Sequence, residues 1–156
     1  MINQTKTARI RAALSNPGWV CLTWFGMTAG VSLLAVPAQF AASTATRPIS
    51  LDIARVIFTA LYKAELVALV ILLVVGRVSG NARRWFAASL VLALIVLLQT
   101  EWLLPELAER SRMILSGTEP PPSIAHAAYS TLELVKLGTL LVLGLAAISR
   151  PEPRLP

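Results

Sequence analysis

The chain has 156 residues, of which 56% are hydrophobic and only 14% charged, with a formal net charge of +6 and a mean hydropathy of +0.69. Soluble domains carry about 25% charged residues, so this balance excludes an ordinary soluble domain and leaves room for about four membrane spans of ~20 residues. The basic residues gather at the ends of apolar runs, where orientation and lipid phosphates account for them, and this excludes a nucleic-acid role.

Residues 1–18 are polar and basic, with Lys6, Arg9 and Arg11, and close on Asn16-Pro17-Gly18. Arg9 to Leu14 could form a short helical turn at a membrane surface. The first apolar run covers 19–42. Its basic lead and the Val36-Pro37-Ala38 site resemble a signal peptide, but its span length and the tryptophans Trp19 and Trp24 favour a retained helix. Cys21, the sole cysteine, lies in this run and reads as a small packed residue; it permits no internal disulfide and no cysteine-based metal site. Gly26 and Gly30 have the G-x-x-x-G spacing that lets helix backbones approach closely. They serve either packing within the monomer or a dimer seam. Pro37 removes the hydrogen bond to the carbonyl of Leu33 and should kink or end the helix.

A loop of small residues, 41–50, leads to a second span over 51–76, with Ser50 as its cap and Asp52 in its first turn. Arg77, Arg83 and Arg84 surround a tight turn at Gly80-Asn81. The third span covers 85–104, with Trp102 as an interfacial anchor. Pro105 to Gly117 alternates acids and bases and could continue as an amphipathic surface helix. Thr118 to Pro122 breaks it. The fourth span covers 123–149, and 150–156 form a tail too rich in proline and charge to fold further.

The second and fourth spans echo each other. Glu65 to Gly76 and Glu133 to Gly144 are identical at eight of twelve positions, at an offset of 68 residues that also maps Pro37 onto Pro105. The expected fold is therefore all-α: a polytopic membrane four-helix bundle made of two pseudo-repeated helical hairpins. A pseudo-two-fold axis along the membrane normal would relate them. Eight basic residues flank the side holding both termini and the second loop, against four on the other side. The positive-inside rule then places both termini in the cytoplasm, in a membrane read as the bacterial inner membrane.

Charged groups inside a span cost roughly 2.5–3.5 kcal/mol each at its centre, so each needs a partner or a wet cavity. The candidates are Lys63, Glu65, Glu101, Glu133 and Lys136. Glu65 lies about 16 Å from Gly76, and Glu133 and Lys136 lie about 26 and 21 Å from Arg150, toward the outer half of the bilayer. Helical spacing puts Tyr62, Glu65, Leu69, Leu72 and Gly76 on one stripe, and Tyr129, Glu133, Lys136, Leu140 and Gly144 on another, with His126 one turn above Tyr129. Glu133 and Lys136 should pair on one helix, with Glu65 facing them. Lys63, about 200° around from Glu65, should snorkel or meet Glu101.

Three roles for this cluster follow. It could line an outward-open pocket for a cation, proton or polar headgroup. It could be a structural network that fixes helix register. It could also contact another subunit. No haem, copper or phosphate-binding pattern is present: His126 is the only histidine, and H-E-x-x-H and G-x-S-x-G are absent. No cofactor, no metal and no catalytic residue is expected. Glu65 and Glu133 could share a proton, but nothing in the sequence identifies a substrate.

Two segments carry a family likeness. Trp24-x-Gly26-x3-Gly30-x-Ser32 followed by Pro37-x-x-Phe40 resembles the first span of the transmembrane-protein-205-like family of small four-helix membrane proteins. His126-x-x-Tyr129-x3-Glu133-x-x-Lys136 resembles its last span. The resemblance implies a four-span bundle without an established reaction. Animal members are associated with tolerance of platinum drugs, which implies handling of metals or small solutes; no cluster of soft ligands accompanies it in this sequence. The expected function is a non-enzymatic membrane module or accessory subunit of a larger assembly. The alternative is a transporter of a small solute, ion or proton using the Glu/Lys/Tyr cluster. The expected partners are the lipid bilayer and either further copies of the chain or a larger membrane complex.

Overall fold

The computed structural model of the chain describes residues 16–149. Four helices make up nearly all of it: α1 (Pro17–Ala41), α2 (Arg47–Val78), α3 (Ala82–Leu115) and α4 (Ala125–Ile148), each long and apolar enough to cross a membrane. The expectations for 1–15 and for the tail lie outside the described residues. There is no strand among the described residues, and the fold is the expected all-α four-helix bundle.

Each boundary has a local cause. Asn16 caps α1 by accepting a hydrogen bond from the Gly18 N–H at 2.9 Å, and Pro17 takes the first helical position, where its missing N–H costs nothing. Helix α2 starts at Arg47, earlier than the expected 51. Pro48 suits that first turn, so Ser50 lies inside the helix instead of capping it. Ser50 is tied to α1: its carbonyl accepts from Gln39 Nε2 at 3.1 Å. Helix α3 ends at Leu115, and Gly117 turns the chain at φ +77°, a backbone region that glycine adopts without penalty.

The prolines do not end their helices. Pro37 and Pro105 each follow a π-helical stretch, Gly30–Ala35 in α1 and Leu98–Leu103 in α3. There the Val36 N–H reaches the Val31 carbonyl and the Leu104 N–H reaches the Gln99 carbonyl. The wider π turn moves the carbonyl that a proline ring would strike in a regular α-helix, so the helix continues past it. The third span therefore runs past its expected end at 104: the amphipathic stretch after Pro105 continues α3 to Leu115.

Helix α1 packs along α4 through Pro17–Ala29, and α2 packs along α3. Contacts of α1 with α2 and of α3 with α4 close the ring, so α2 and α4 face each other across the bundle axis. At the end that holds the α2–α3 turn, Asn16 Nδ2 donates to the Ala147 carbonyl at 3.2 Å, which brings both ends of the described chain together. The core of this half is Cys21, Trp24, Leu72, Trp85, Leu92, Val96 and Leu140. Outward-facing Val67, Val70, Val74, Leu90, Leu94 and Val142 leave an apolar exterior, as a lipid-facing surface requires.

Close helix approach falls on other glycines than Gly26 and Gly30. A Cβ at Gly18 would lie 2.8 Å from Ala147 Cβ and 2.9 Å from the Gly144 carbonyl, and one at Gly76 would lie 2.7 Å from Trp85 Cβ. A Cβ at Gly26 or Gly30 would meet nothing within 4 Å. Gly18→Ala should therefore destabilise the bundle by about 1–3 kcal/mol through overpacking, while Gly26→Ala should leave the monomer's stability unchanged. Thermal unfolding in mild detergent checks both, and equal effects would contradict this packing.

Candidate functional site

The two faces picked out by helical spacing meet in the middle of the bundle. On α2, Leu61, Glu65, Leu72 and Gly76 are buried; on α4, Tyr129, Glu133, Lys136, Leu140 and Gly144 are. Lys136 has no solvent exposure at all. An ammonium has three donors, and each one is used. Lys136 Nζ lies 2.7 Å from Glu65 Oε1, 2.9 Å from Glu133 Oε2 and 2.9 Å from Gln99 Oε1.

The carboxylates are held from other sides as well. Glu65 Oε1 accepts from Trp24 Nε1 at 3.1 Å and from Thr28 Oγ at 3.0 Å. Glu133 Oε1 accepts from Ser32 Oγ at 2.5 Å, and its Oε2 accepts from Gln99 Nε2 at 2.8 Å. All four helices contribute to one network. Charge-assisted hydrogen bonds in a low-dielectric interior are strong individually and polarise one another. The network lets ionisable groups reside in an apolar bundle.

Sequence reasoning found Glu65, Glu133 and Lys136 and their pairing, but not Trp24, Thr28, Ser32 and Gln99. A signal for the first three was present: they recur at four-residue spacing along α1 and so share one face. Gln99 could be read only as a lone amide in an apolar run. Its position depends on the π-helical stretch Leu98–Leu103, which no simple periodicity reveals. Lys63 and Glu101 are exposed and join neither the network nor each other in an ion pair.

Above the network, on the side of the α1–α2 and α3–α4 loops, lies a pocket of about 1030 Å³. Glu133, Tyr62 and Tyr129 line its floor, beside Ser32, Thr100 and Ser130. Its walls are mainly apolar, with Val36, Leu51, Phe58, Leu104 and Leu107. Phe58 stacks edge-on against Tyr129, with ring centroids 5.5 Å apart. Arg47, Arg55, Arg110 and His126 stand at the mouth. Glu65 and Lys136 lie behind the floor and do not line the pocket.

No group of three or more His, Cys, Asp or Glu side chains is placed to hold a metal ion among the described residues. The chain matches no family model, and no curated protein or solved structure is found to be similar to it.

Removing one partner from a buried ion pair strands the other and costs about 3–5 kcal/mol. Lys136→Met should therefore destabilise the bundle strongly, because it leaves two carboxylates facing each other. The triple variant Lys136→Met, Glu65→Gln, Glu133→Gln removes all the charges and should recover most of that loss. Unfolding midpoints of the two variants provide the check; a triple variant no more stable than the single one would refute the pairing as the main term.

Proposed function

We propose that the protein is a non-enzymatic membrane module, or an accessory subunit of a larger membrane assembly, that binds a small molecule in the pocket between its four helices. The observation that carries this reading is where the pocket stops. Its floor is Glu133, whose oxygens are already taken by Ser32, Gln99 and Lys136. Beneath the network, Leu72, Leu92, Val96 and Leu140 are buried against one another. A pocket closed in this way suits binding from one side better than passage, and its 1030 Å³ is just above the range of about 300–1,000 Å³ typical of ligand sites. A small-molecule module accords with the family likeness in α1 and α4.

One feature favours the transporter as a second reading. The network holds two carboxylates and one ammonium, and Glu133 borders the pocket. Such a site could take up a cation or a proton. The two readings separate in liposomes loaded with a pH-sensitive dye. The binding module gives no protein-dependent proton or cation flux under an imposed gradient; a flux that Glu65→Gln abolishes would instead establish transport.

We also read the hairpins α1–α2 and α3–α4 as related copies. In support, the two π-helical stretches begin at residues 30 and 98, the same 68-residue offset as the sequence echo. Only the second copy has a lysine on the central face; Ala68 occupies the matching position in the first. A site built from the two is therefore asymmetric. From the charge bias we read both termini as cytoplasmic, in a membrane read as the bacterial inner membrane. A green-fluorescent-protein fusion at the C-terminus should then fluoresce and an alkaline-phosphatase fusion there should be inactive. The opposite pattern would invert the topology.

A further inference from the structure

We infer that the pocket's ligand is an anionic lipid of the surrounding bilayer, with its headgroup at the arginine mouth and its acyl chain along the apolar shaft. This rests on the reading of the pocket as a binding site.

Depth comes from helical rise. Counted from the basic turn and the end of α4, Arg55 lies roughly 33 Å, His126 roughly 34 Å and Arg110 roughly 39 Å along their helices. A hydrocarbon core of about 30 Å inside a bilayer of about 40–45 Å puts these three in the far headgroup layer. Arg47 lies above them. By the same count Tyr62 and Glu133 lie at roughly 22 and 24 Å, inside the hydrocarbon. The pocket therefore begins at the level of lipid phosphates and ends at the level of acyl chains, the orientation that a lipid of that leaflet already has.

Charge distinguishes the two ends. The floor carboxylate Glu133 pairs with Lys136 and already accepts from Ser32 and Gln99, so its oxygens are turned to protein partners rather than to a headgroup. At the mouth, Arg47 has no ion-pair partner among the described residues. Arg55 is paired with the exposed Asp52 at 2.9 Å, a contact weakened by solvent, and Arg110 uses one nitrogen on the Pro121 carbonyl. A guanidinium has five donors, so both retain donors for a phosphate. Clustered basic side chains at a membrane surface attract anionic lipid.

Access is lateral. Helix α1 packs on α4 chiefly through Pro17–Ala29, with Ser32 still reaching Glu133; beyond the π-helical stretch its main neighbour is α2. In that outer half Leu33 and Leu134, both lining the pocket, are 57% and 61% exposed. A chain can enter between α1 and α4 from the bilayer without leaving it.

The test uses the full chain, purified and delipidated in a nonionic detergent and titrated with short-chain phosphatidylglycerol or phosphatidylcholine of identical acyl length, with bound lipid counted by native mass spectrometry. The wild type should bind the anionic lipid about tenfold or more tightly than the zwitterionic one. The Arg47→Gln, Arg55→Gln, Arg110→Gln variant should lose most of that preference, and Ala108→Trp, which plugs the shaft at its mouth, should lose both lipids. If Ala108→Trp does not yield a folded protein, Ser130→Phe blocks the pocket from another helix. Equal binding of the two lipids, still blocked by the filled shaft, overturns the anionic assignment and leaves the binding pocket standing. Binding of neither lipid, or binding that neither filling variant reduces, overturns the pocket reading as well. Inorganic phosphate should not displace the anionic lipid, because the chain anchors it; displacement would refute the lipid assignment.

Discussion

The structure depends on one buried ammonium. Lys136 sits at the centre of a bundle whose exterior is hydrocarbon, and it is tolerated there because three oxygens from three helices receive its three protons. Buried ion pairs add little stability over well-packed apolar residues, yet breaking one is expensive. The network thus links the four helices at one level, in the geometry of a register lock. Any slide of α2 against α4 would pull Glu65 away from Lys136, and any rotation of α3 would withdraw Gln99. Apolar side chains alone would not impose this, since lipid tails compete with them on equal terms.

The π-helical stretches connect the lock to the pocket. In α3 the stretch carries Gln99 into the network and Thr100 to the pocket wall. In α1 it carries Ser32 to Glu133, and beyond it α1 leaves α4 for α2. The same local widening that lets each helix pass its proline thus opens the outer half of the bundle. Below Gly30, small residues bring the helices together: Gly18 against Ala147 and Gly76 against Trp85. The result is a bundle tightly packed at one end and hollow at the other, with the charged network at the boundary.

That division gives the chemistry of the site a simple form. The network uses its polar atoms internally, so the pocket offers a ligand mainly apolar walls and a cationic mouth. A flexible charged floor would suit an ion in transit; a floor held by four helices suits a fixed site.

The sequence by itself determined the number of helices, their approximate limits, the two buried faces and the partnership of Glu65, Glu133 and Lys136. Each follows from short-range rules: apolar length sets the spans, and the helical repeat sets which residues share a face. Tertiary structure decided the rest. Whether Pro37 and Pro105 ended a helix depended on a change of hydrogen-bond pattern several residues away. Which glycines were crowded depended on which helices became neighbours, and this moved the close contacts from Gly26 and Gly30 to Gly18, Gly76 and Gly144. Trp24, Thr28, Ser32 and Gln99 became ligands of the network only when four separate faces converged, because a neutral polar side chain in an apolar run does not reveal its partner. The pocket is likewise a property of how the helices diverge, and divergence has no signature in any one of them.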